Sequence, residues 1–72
     1  MKVRTGQKLV YRCRSFLDTM YPRPTDGTKV RVINLHGCPP PNTMGHCYIE
    51  PVDPQPEHAS FYMVSTQSLH KS

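Results

Sequence analysis

The prolines constrain this chain most. Eight of them, at positions 22, 24, 39–41, 51, 54 and 56, would interrupt any long helix, since each lacks an N–H and clashes with the preceding turn. No window carries apolar residues at i, i+3, i+4 and i+7 for more than a turn. The chain alternates instead. Its longest alternating run is Thr28-Lys-Val-Arg-Val-Ile-Asn-Leu35, where Lys29 and Arg31 interleave with Val30 and Val32. This run reads as the central strand of a small antiparallel sheet.

Turn signals divide the rest. Residues 1–6 form a lead-in with a turn at Thr5-Gly6. Lys8-Leu-Val-Tyr-Arg-Cys13 alternates, with Leu9, Tyr11 and Cys13 on one face and Val10 and Arg12 on the other, as a half-buried strand does. Ser15–Gly27, with Pro22, Pro24 and Asp26-Gly27, is a long first loop, and its Phe16, Leu17, Met20 and Tyr21 are expected to fold it back over the end of the sheet. His46–Glu50 is the third strand, Pro51–His58 a proline-punctuated loop and Ser60–Val64 the fourth strand. Ser65–Ser68 reads as a tight or 3₁₀ turn leading to Leu69, with residues 70–72 frayed. Residues 36–45, with Gly37, Pro39–Pro41 and Asn42, cannot be regular sheet.

Two registers keep one face apolar, which is what sets register in a one-sided sheet. Pairing the first strand so that partner numbers sum to 43 sets Tyr11 on Val32 and Cys13 on Val30, and places Arg12 opposite Arg31 and Arg14 opposite Lys29. Pairing the central and third strands on a sum of 81 sets Val32 on Ile49 and Arg31 on Glu50. The expected core is Leu9, Tyr11, Val30, Val32, Ile49, Val64 and Leu69. In the fourth strand either Phe61 and Met63 or Tyr62 and Val64 face inward.

The order of elements, strand, long folded loop, three meandering strands, tight turn and terminal apolar residue, resembles the SH3-like small β-barrel. The residues that carry it are Gly6, Asp26-Gly-Thr-Lys-Val-Arg-Val32, Gly45-His-Cys-Tyr-Ile-Glu50, and Phe61-Tyr-Met-Val64 followed by Leu69. The resemblance spans nearly the whole chain, at the level of architecture. It implies an all-β, single-domain barrel over residues 1–72, with about five short strands and proline-rich loops. The acidic first loop and the tryptophan of signalling SH3 domains are missing, so binding of proline-rich peptides is not implied. Such barrels serve many functions, and the fold alone does not choose among them.

Seventy-two residues hide only about 60% of the surface the unfolded chain exposes, so the core is thin. The net charge of +4 is unevenly spread. Residues 1–31 hold eight Lys or Arg against Asp18 and Asp26, and residues 32–72 hold only Lys71 against Glu50, Asp53 and Glu57. A basic half of this kind fits a polyanion or a solvated face. The three cysteines, Cys13, Cys38 and Cys47, together with a polar opening segment, point to free thiols in a reducing cytoplasm. No apolar run approaches the ~20 residues of a membrane span.

Ordinary chemical sites are poorly supported. His36, Cys38, His46 and Cys47 are zinc-type ligands within twelve positions, but their spacing is wrong for convergence, and on a strand His46 and Cys47 point to opposite faces. A thiol–imidazole nucleophile drawn from the same residues lacks an enclosed pocket of about 300 Å³. Asp53 and Glu57 lie in a proline-rich loop as solvated charges, and Pro51-Val-Asp-Pro54 reads as a stiff connector. No cofactor and no metal are expected.

The expected function is a non-enzymatic binding module. The leading reading is a protein partner met through the outer sheet face and the first loop, as a monomer or weak homodimer, with Val10, Ile33, Tyr48 and an outward pair of the fourth strand as its apolar patch. The alternative is nucleic-acid binding by Arg12, Arg14, Lys29 and Arg31, with Tyr48 stacking on a base.

Overall fold

The computed structural model describes residues 3–35, 37 and 45–71. Five strands, β1 (Lys8–Tyr11), β2 (Lys29–Ile33), β3 (His46–Pro51), β4 (Tyr62–Ser65) and β5 (Leu69–His70), form one antiparallel sheet in the order β4-β3-β2-β1-β5. The sheet curls into a half-barrel. Short 3₁₀ segments at Phe16–Met20 and Thr66–Ser68 are the helical elements among the described residues outside the 36–45 loop. The 36–45 loop, with Cys38 and Pro39–Pro41, lies almost wholly outside the described residues.

Alternation decides which side chains are inside. Leu9, Tyr11, Val30, Val32, Cys47, Ile49, Tyr62, Val64 and Leu69 are all buried, and every residue of the expected core is among them. At roughly 1.5–3 kcal/mol per fully buried aliphatic side chain, this small set supplies most of the driving force. In β4 the inward pair is Tyr62 and Val64; Met63 is half-buried and Phe61 exposed. Val3 joins the core, so the lead-in is tied down: the Gly6 N–H donates to Val32 O and the Val32 N–H to Gln7 O. Gly6 makes that turn at φ +89°, where a side chain would be strained. The expected fraying of 70–72 is likewise corrected at its first residue, because His70 belongs to β5 and pairs with Val10.

The β2–β3 register is the expected one, with Arg31 opposite Glu50 and Val32 opposite Ile49. The β1–β2 register is not. Leu9 faces Val30, Lys8 faces Arg31 and Val10 faces Lys29, so β1 is displaced by four residues and the Arg12–Arg31 and Arg14–Lys29 pairs do not form. An even slide leaves Leu9 and Tyr11 inward, which makes the two registers equivalent in hydrophobic pattern. Turn chemistry breaks the tie. Thr28 closes a turn on Thr25, and the Gly27 N–H reaches Tyr11 O at 2.7 Å, so the ladder ends at Tyr11. Arg12 and Arg14 then run beside the segment before β5: the Arg12 N–H donates to Ser68 O and the Arg14 N–H to Ser68 Oγ.

Asp18 anchors the first loop. It is 3% exposed, while its neighbours Phe16, Leu17, Met20 and Tyr21 are 79, 47, 64 and 50% exposed. The loop does fold back, but polar contacts hold it and its apolar side chains face out. Ser15 opens the 3₁₀ turn by accepting from the Leu17 N–H, and this turns Asp18 inward onto β4.

Candidate functional site

The sheet has an inner face filled by the core and an outer face that divides into two halves. On the β1–β2 side Lys8 lies opposite Arg31, and Lys29 opposite Val10, which itself faces His70 on β5. On the β3–β4 side Tyr48 lies between Ile33 and Met63. The Tyr48 ring meets Phe61 edge-on, with centroids 6.1 Å apart and planes at 66°, a favourable aromatic arrangement. The Arg31–Glu50 ion pair, 3.1 Å long and more than a third exposed at both ends, marks the boundary. At such exposure it contributes about 0.2–1 kcal/mol, and it removes Arg31 from the free cations.

The five predicted surface residues therefore do not form one patch. Lys29, Arg31 and Tyr48 share the outer sheet face, whereas Arg12 and Arg14 sit on the rim beside β5. There Val10, Arg12, Arg14, His70 and Lys71 line an open groove of about 320 Å³. A second open cleft, of about 390 Å³, has Arg12, Cys13, Arg14, Asp26 and Gly27 around it. A third, of about 480 Å³, runs along Cys13 and the 21–26 segment of the first loop. Among the described residues, Arg31 is the one Lys or Arg with a carboxylate within salt-bridge distance.

The sequence reading missed Asp18. Its carboxylate accepts from the Tyr11 hydroxyl at 3.0 Å, from the Ser65 backbone N–H at 2.9 Å and from the Ser68 hydroxyl. A usable signal was its isolation, since Asp18 and Asp26 are the only acids in the basic half of the chain. Asp26 is also engaged, its Oδ1 accepting from the Cys13 N–H. Neither acid lies within salt-bridge distance of a Lys or Arg among the described residues, and the ion pair of this half is the one Arg31 makes with Glu50.

Burial, and after it the Asp18 hydrogen bond, pushes the Tyr11 phenol far above its ordinary range. Burial, with a smaller contribution from the Asp18 charge, pushes the Cys47 thiol up to about 12. Cys47 is thus protonated at neutral pH and points into the core opposite Val64, while the half-buried His46 projects the other way. The two do not converge on a metal or form a nucleophile–base pair. His36 and Cys38 lie outside the described residues, and no cluster of three or more metal-type ligands occurs among the described ones. No described helix is long and apolar enough to cross a membrane. Comparison with protein-family models, curated proteins and solved structures finds no match.

Proposed function

We propose that this chain is a non-enzymatic binding module on an SH3-like barrel, and that it meets a protein partner through its first loop and outer sheet face. The observation that carries this reading is the display of Phe16, Leu17, Met20 and Tyr21 on a loop fixed by the buried Asp18. A cluster of large exposed apolar side chains marks an interaction surface. Fixing it beforehand reduces the ordering cost that a partner must overcome. Ile33, Tyr48, Met63 and the exposed Phe61 add apolar area on the outer sheet face. The long first loop, the meander β2-β3-β4 and a 3₁₀ turn returning the chain to β1 support the SH3-like description. Cys13 and Cys47 are free thiols, in keeping with a reducing, cytoplasmic setting.

The test compares wild type with Phe16→Ser/Met20→Ser and with Tyr48→Ser, each immobilised, at 50 and 300 mM salt. Proteins held by wild type at both salts and lost from the variants support the reading. An identical set retained by all three sinks it. Sedimentation of wild type over a range of concentrations reports whether the partner is a second copy.

A second reading, nucleic-acid binding through the basic strand face, is favoured by one observation. Of the cations on the β1–β2–β5 side, Arg31 alone is ion-paired among the described residues.

A further inference from the structure

The rim of the sheet joins three features that the sequence does not place together. First, the groove between the β1 extension and β5 is lined by Val10, Arg12, Arg14, His70 and Lys71, three permanent cations and an imidazole with no carboxylate among them. Secondly, His70 Nε2 is buried with no hydrogen-bond partner. Such an orphan nitrogen is costly. Thirdly, the groove is continuous with the outer face, because Val10 faces His70 on one side and Lys29 on the other. We infer that this rim, from Lys8 through Arg12 and Arg14 to His70 and Lys71, is a track for the phosphodiester backbone of a single-stranded nucleic acid. The inference rests on the nucleic-acid reading and deepens it by naming the site and what fills it.

Length and charge select that occupant. Lys8–Tyr11 is a strand, and Arg12 and Arg14 continue the line of cations past its end to the groove, a path too long for one phosphate and suited to several in succession. Arginine's planar fork grips phosphate oxygens in pairs, which the two arginines at the groove provide. The Lys8–Arg31 opposition places like charges across neighbouring strands, at a cost of a few tenths to about 1 kcal/mol. Glu50 relieves Arg31, so Lys8 remains available to a ligand. Asp26 stands at the neighbouring cleft beside Arg12 and Arg14, where it holds the Cys13 N–H. Arg31 and Tyr48, both sequence candidates, lie off the track.

The experiment is fluorescence anisotropy with labelled mixed-sequence single-stranded DNA and RNA 12-mers at 50 and 200 mM salt. Wild type is compared with Arg14→Glu/Lys71→Glu and with Arg4→Glu/Arg23→Glu, which changes net charge equally away from the groove. Circular dichroism confirms that each variant is folded. Three to four phosphate contacts predict that wild-type affinity falls about 20- to 50-fold between the two salts. The groove variant is expected to bind at least tenfold more weakly than the control. Equal weakening by both variants would mean general attraction to a positive protein, and would overturn the track while leaving the nucleic-acid reading. No binding by wild type at 50 mM would overturn that reading itself. Competition by polyglutamate as effective as by unlabelled DNA would assign the groove to acidic protein instead.

Discussion

Replacing Asp18 with alanine asks whether hydrogen bonds, not apolar packing, hold the first loop in place. The substitution strands the Tyr11 hydroxyl, the Ser65 N–H and the Ser68 hydroxyl, all inside the fold. A buried donor left without a partner costs about 1–3 kcal/mol. The hydroxyls can rotate toward other acceptors and fall at the low end; the backbone N–H cannot. The expected loss is about 3–5 kcal/mol, against a total stability of about 4–11 kcal/mol for a chain of 72 residues. Asp18→Asn keeps the shape and one acceptor for the Ser65 N–H, and should lose about 1–2 kcal/mol. Urea unfolding followed by circular dichroism reads both, with sucrose added should the alanine variant be unfolded in buffer. A double-mutant cycle with Tyr11→Phe should give a coupling of at least about 0.5 kcal/mol, as contacting residues do. If Asp18→Ala stayed within about 0.5 kcal/mol of wild type while Leu17→Ala cost more, the loop would be held by packing and the reasoning would be wrong.

Stability should decline on the alkaline side. Cys47 and Tyr11 stay protonated in the folded state above their unfolded values of 9.0 and 10.0. The native state then holds more protons, so their contributions are intact below pH 9 and are lost as pH rises from there. Urea midpoints should change little between pH 7 and 9 and fall clearly by pH 10.5, and a flat profile would contradict the burial of both groups. In a Cys13→Ser/Cys38→Ser background, Cys47 should react with a maleimide at least about 100-fold more slowly when folded than in urea, because its thiolate is suppressed and enclosed. Comparable rates would show it accessible. Gly27→Ala should cost about 1–2 kcal/mol by thermal melting, since Gly27 sits at φ +93° while its N–H holds Tyr11 O; an unchanged melting temperature would mean the turn relaxes freely.

Alternation located the strands and their inward side chains because each strand has one wet and one dry face, and Leu9, Tyr11, Val30 and Val32 state that pattern openly. The β2–β3 register was legible through the Arg31–Glu50 complementarity. The β1–β2 register was not, since a four-residue slide preserves the pattern and only the Thr25–Thr28 turn distinguishes the alternatives. That slide also moved Arg12 and Arg14 from the sheet face to the rim, which is why the sequence named both arginines but missed their neighbours His70 and Lys71. Asp18 was hidden for a different reason. A buried carboxylate is identified by its donors, and those lie at positions 11, 65 and 68. Hydropathy indicated that the loop folds back over the end of the sheet, but not that a carboxylate holds it there with its apolar side chains outward.

The place of β5 in the sheet has a consequence for how the chain reaches its fold. Val10 pairs with His70, a separation of 60 residues, and the Asp18 carboxylate also depends on Ser65 and Ser68. Neither β1 nor the first loop completes its hydrogen bonds until the far end of the sequence arrives. On a ribosome, β1 therefore leaves the tunnel well before its partner exists. The meander of β2, β3 and β4 can form from neighbouring hairpins, but closure against β5 brings together distant segments, which slows folding and makes it cooperative. A chain stopped before Ser65 would carry a basic, half-paired strand with its edge open to pairing with other chains.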